Sequence, residues 1–130
     1  MSITPAQTAY WEALDLSYLA ETMTSPAYPL PRWQTTDALR ALKHYKNFLW
    51  LHKLHPNMTF VPSKEIDECW HNHILHTERY TEDCEHIFGR YLHHAPATPG
   101  KDDDTLITNY MRTKELYRQV FNIDLSHPAP

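Results

Sequence analysis

Two glycines, Gly89 and Gly100, serve a chain of 130 residues, and its ten prolines stand almost entirely between periodic segments. Strand-rich domains need frequent turns, so this punctuation predicts an all-α fold. Thr4 to Gln7 reads as a capping box with Pro5 at the first helical position. A helix is expected from there to Met23, with Tyr10, Leu14 and Tyr18 inward. The proline-rich stretch Ser25–Trp33 is expected to cross the surface in extended form. A second helix should start near Thr36–Asp37 and end by His55, where Pro56 stops it; Leu42, Tyr45, Phe48 and Leu49 keep helical spacing. Third, fourth and fifth helices are expected at Ser63–Leu75, Thr77–Leu92 and Thr105–Phe121, the last with Leu106, Tyr110, Tyr117 and Phe121 inward. Asp102, Asp103 and Asp104 suit the positive start of that helix, and the tail after Phe121 is expected to be irregular. The expected architecture is one domain over residues 1–130, a compact bundle of about five helices with proline-rich connections.

The net charge of −4 comes with no basic stripe, which excludes a protein that tracks a phosphate backbone. Lys43, Lys46 and Lys53 read as a solvated face. Cys69 and Cys84 are the only cysteines, so no disulfide framework is implied and a reducing, cytoplasmic setting is expected. The N-terminal residues lack a basic region followed by an apolar run, and no apolar stretch approaches the roughly 20 residues of a membrane helix. No phosphate-cradling glycine loop can be built, and no nucleophile elbow surrounds either cysteine.

What remains is histidine. Nine of the ten lie between residues 44 and 94, three of them in Glu68–His76. Side chains advance by about 100° per residue around an α-helix. With Ile66, Trp70 and Ile74 inward on the third helix, Cys69 and His73 fall on one edge of the stripe and Asp67 and His71 on the other. Each pair has the one-turn spacing that lets two ligands share an ion. His71 and His73 differ by about 200°, so they converge only if the helix loosens near Asn72, with Thr77 capping a fresh helix. On the fourth helix Tyr80, Cys84, Ile87, Phe88 and Tyr91 form the apolar face, and the same projection puts His94 at its edge. His76, His86 and His93 project outward. His44, His52, His55 and His127 read as surface residues, the middle two placed to offset a helix C-terminus.

Imidazoles with a carboxylate or thiolate suit Zn, Fe, Cu or Ni, and an incomplete set leaves positions open for chemistry. The run His71–His76 is not H-E-x-x-H, and Cys69 and Cys84 are too far apart for a C-x-x-C unit. The competing reading is that such histidines are hydrogen-bonded core residues and the cysteines small core hydrophobes.

Residues 48–94 resemble the uncharacterised family named after plant glycine-rich domain-containing proteins, which has short, stand-alone bacterial members. The resemblance rests on Val61–Pro62, Asp67, Trp70–His71–Asn72–His73, Tyr80, Asp83–Cys84, Phe88–Gly89 and His94. The stretch Tyr117–Leu125 is similar to a further family pattern, with Asn122 where glycine is common. This resemblance selects His71, His73 and His94, with Asp67, as the candidate metal ligands. The ligand chemistry of these residue types leads to the expectation of one first-row ion (Fe, Zn or Cu), with Tyr80 and Cys84 lining the site. The expected function is a metal-binding protein, leaning to an oxidative or hydrolytic enzyme acting on a small molecule or peptide. The alternative is a non-catalytic interaction or structural module in which Trp-His-x-His is a buried signature and Trp33, Trp50, Trp70 and Tyr91 serve the core and a docking face. A third reading is a pH sensor built on the histidine density. The pattern fixes no oligomeric state.

Overall fold

Backbone polarity and the capping residues decide where each helix begins. In the computed structural model, which describes residues 3–95 and 103–125, Thr4 accepts the Gln7 amide and Gln7 returns the bond to the Thr4 N–H, starting α1 (Pro5–Ala13). The expected single first helix is divided here. Asp15 Oδ1 accepts the Ser17 amide at 2.9 Å, a local turn that competes with the helix, and α2 (Ser17–Thr24) starts afresh. The Lys46 ammonium bonds the exposed end of α1, reaching the carbonyls of Glu12 and Leu14 at 2.9 Å each. The break moves the buried stripe to Leu16, Leu19, Ala20 and Met23, leaving Tyr10, Leu14 and Tyr18 half-buried.

α3 (Thr35–Leu54) is the central element, burying Leu42, Tyr45, Phe48, Leu49 and Leu51. It packs against α2 and α4 (Lys64–Leu75) and also meets α6 (Asp103–Phe121). Ser63 caps α4 by accepting the Ile66 amide. α5 (Thr77–Phe88) lies against α4 and α1. Among the described residues the fold is an all-α compact bundle with no strand. None of these helices is long and apolar enough to cross a membrane.

α5 stops four residues before the expected Leu92, because Gly89 takes a left-handed conformation at φ 72° and turns the chain away. At the end of α6, Asn122 adopts φ 57°, a conformation that asparagine tolerates better than most side chains and that glycine adopts freely. The segment after α2 is irregular, as expected. It is tied down by Tyr28 O–H and Trp33 Nε1–H, which both donate to Glu68 of α4, the indole at 2.6 Å. Residues 96–102, including Asp102, and His127 fall outside the described residues.

Candidate metal centre

α4 runs unbroken through Asn72, so the helical projection governs it: His71 and His73 leave on opposite sides. His73 is fully buried and faces inward. Its Nδ1 lies 2.7 Å from the Tyr45 hydroxyl and its Nε2 2.8 Å from Asp83 Oδ2. Tyr10 O–H donates to the other Asp83 oxygen at 2.6 Å. With an ionised Asp83, the neutral ring donates from Nε2 and accepts the Tyr45 proton at Nδ1, so every polar atom of the chain Tyr45–His73–Asp83–Tyr10 has a partner. The expected convergence of positions 71, 73 and 94 therefore does not occur. An intact helix cannot aim residues 71 and 73 at one point, and His73 is already committed on both nitrogens.

Three of the four selected residues do meet. Asp67, His71 and His94 each offer a ligand atom, and these atoms all lie within 4.8 Å of one another. His94 Nε2 is 2.7 Å from Asp67 Oδ1, and the two Nε2 atoms are 3.1 Å apart. His71 Nε2 is 3.5 Å from Asp67 Oδ2. Asp67 and His71 share a face because they are one turn apart. The side chain of His71 is 58% exposed and that of Asp67 37%, whereas that of His94 is 11% exposed. One side of the triangle is thus open to water.

His94 arrives from the irregular segment beyond Gly89 and not from the face of a longer α5 as projected. Its ring lies flat on the Trp70 indole, with centroids 3.9 Å apart and planes at 1°. The Trp70 indole N–H donates to Tyr80, and the Tyr80 hydroxyl donates to the Leu92 carbonyl. Cys69 and Cys84 are buried and free. Burial pushes both thiols up from their ordinary range, so they stay protonated near neutral pH and act as core groups. Tyr80 is likewise driven upward by burial.

Sequence reasoning misplaced His52 and His44. His52 is wedged among Phe48, Phe60 and Trp70, and its buried Nε2 has no hydrogen-bond partner among the described residues. Burial lowers its pKa to about 4. His44 is half-buried with Nδ1 2.6 Å from the Tyr117 hydroxyl. His86 and His93 are exposed as expected, and His76 is half-buried with Nδ1 2.9 Å from the Asn72 carbonyl. The roles of Asp83 and Tyr45 were missed as well. The available signals were their position on the inward faces of α5 and α3 and, for Asp83, its place in the Asp83–Cys84 pair of the family pattern; neither names a partner that lies elsewhere in the sequence.

The family described as UCP032817-like matches residues 15–121. Glycine-rich domain-containing protein 1 of Arabidopsis thaliana is 30% identical over 87 residues, which is 62% of this chain. The matched region is 10% of that plant protein's length, so this chain corresponds to a small part of it. No solved structure gives a significant match.

Proposed function

This chain belongs to the UCP032817-like family, and on that premise we propose that it is a metal-binding protein whose ligands are Asp67, His71 and His94. The observation that carries the reading is the triangle of ligand atoms. Donors held about 2.0–2.1 Å from a single ion stand roughly 3–3.4 Å apart; here the two Nε2 atoms are 3.1 Å apart, and the Asp67 carboxylate offers Oδ1 to His94 at 2.7 Å and Oδ2 to His71 at 3.5 Å. An ion would take the place of the proton that His94 shares with Asp67. Two histidines and one carboxylate favour Fe(II), Zn(II) or Cu(II), and such an ion supplies Lewis-acid or redox chemistry at its open positions. The exposed side of His71 gives a small molecule or a peptide access to those positions. This supports a metal-dependent enzyme, with Trp70 as the wall behind His94.

The test is elemental analysis of freshly purified protein, followed by titration with Zn(II), Fe(II) and Cu(II). About one equivalent is expected, with a rise in melting temperature that His94→Ala and Asp67→Asn abolish. An empty protein whose melting no ion changes refutes the reading. A second reading applies to the other half of the motif. The fully buried bonds of His73 favour an architectural role for that residue, and a chelator should leave them intact.

A further inference from the structure

Tyr80 contributes no donor to the triangle, yet its hydroxyl ties together the two segments that build it. The Trp70 indole N–H donates to the Tyr80 oxygen at 2.9 Å, and the Tyr80 O–H donates to the Leu92 carbonyl at 2.5 Å. Trp70 precedes His71 on α4, and Leu92 lies two residues before His94. One phenol thus holds both the indole on which the His94 ring rests and the main chain that carries His94.

We propose that Tyr80 is the positioning residue of this centre, setting the height and tilt of His94 through Trp70 and Leu92. The proposal rests on reading the Asp67–His71–His94 cluster as a metal site. Asp67 and His71 are placed by the helix itself, whereas His94 sits outside any helix, on a segment that leaves the left-handed turn at Gly89. Such a segment keeps many conformations unless something anchors it, and ordering it on binding weakens affinity. The anchor is itself rigid: Tyr80 is 1% exposed and Trp70 2%. Phe48 and His52 brace the indole at 5.5 and 5.6 Å.

Tyr80→Phe keeps the ring and deletes only the oxygen. The wild type, this variant and His93→Ala, a change at the exposed neighbouring histidine, are compared by optical titration with Co(II). In parallel, without metal, NMR follows the His94 ring protons, which the ring current of the stacked Trp70 indole is expected to shift upfield. Tyr80→Phe is expected to bind Co(II) roughly 10–100-fold more weakly, with an altered ligand-field spectrum and His94 protons closer to ordinary positions. His93→Ala should match the wild type in both readouts. Unchanged affinity in Tyr80→Phe overturns the proposal, whether or not the His94 resonances move. If the wild type binds no ion, the metal reading fails by itself, and the His94 resonances still decide whether Tyr80 places that ring. If Tyr80→Phe fails to fold, Trp70→Phe, which removes the indole N–H, is expected to show the same paired changes, and wild-type values there refute the mechanism.

Discussion

Replacing His73 by leucine separates the two histidines of the Trp-His-x-His motif. His73 is fully buried and holds two partners, so the cost is the sum of what each loses. The buried Tyr45 hydroxyl would be left without its acceptor, a penalty of about 1–3 kcal/mol. Asp83 would lose a charge-assisted bond worth about 1.5–3 kcal/mol, keeping only Tyr10. Leucine fills a volume near that of imidazole, so the cavity term is small. The total is about 2.5–6 kcal/mol, which brackets the cost of breaking one partner of a buried pair and is a large share of the roughly 5–15 kcal/mol typical of a domain. Urea denaturation followed by tryptophan fluorescence should show a lower midpoint at unchanged slope, and melting should fall by roughly 10–25 °C. Adding Asp83→Leu should cost less than the sum of the single changes, since the carboxylate stranded by the first is removed by the second. Metal affinity should be unchanged. A loss below about 1 kcal/mol, or a fall in metal affinity, refutes the division of labour between His71 and His73.

Gly89→Ala forces a side chain into φ 72°, where open space leaves no steric clash to add; a loss of about 1–2 kcal/mol is expected by chemical denaturation, and Gly89→Asn should lose less. His52 supplies a pH dependence. Its folded pKa of about 4 lies below the ordinary value of 6.5, because burial penalises the charged ring. The unfolded chain therefore binds more protons between these values, so the contribution is fully present above pH 6.5 and is lost as pH falls towards 4. His52→Phe, which also removes an unpartnered Nε2, should flatten the stability difference over that window and cost little at neutral pH. An identical acid dependence in wild type and variant would contradict this account.

Local rules carried the parts of the molecule whose causes are local. The Thr4 capping box, the helix start at Ser63 and the stop at Pro56 are decided within a turn of chain, and the structure follows them. The pairing of Asp67 with His71 is of the same kind, because one turn of helix fixes it. Local rules failed where a distant group or a conformational choice won. Lys46 of α3 and the Asp15 turn divide the first helix, and Gly89 ends α5 early by adopting a backbone that its neighbours disfavour. His94 was selected by resemblance, but what delivers it is the turn at Gly89 and the hold of Tyr80 on Leu92.

The amino-acid order by itself determined an all-helical chain, most of its boundaries and one carboxylate–imidazole pair, since periodicity and capping act over a few residues. Tertiary structure alone decided which imidazole joins that pair and which is locked in the core. Both outcomes depend on groups many residues apart, His94 with Asp67 and His73 with Tyr45 and Asp83. Only packing of whole helices brings such groups within hydrogen-bonding distance.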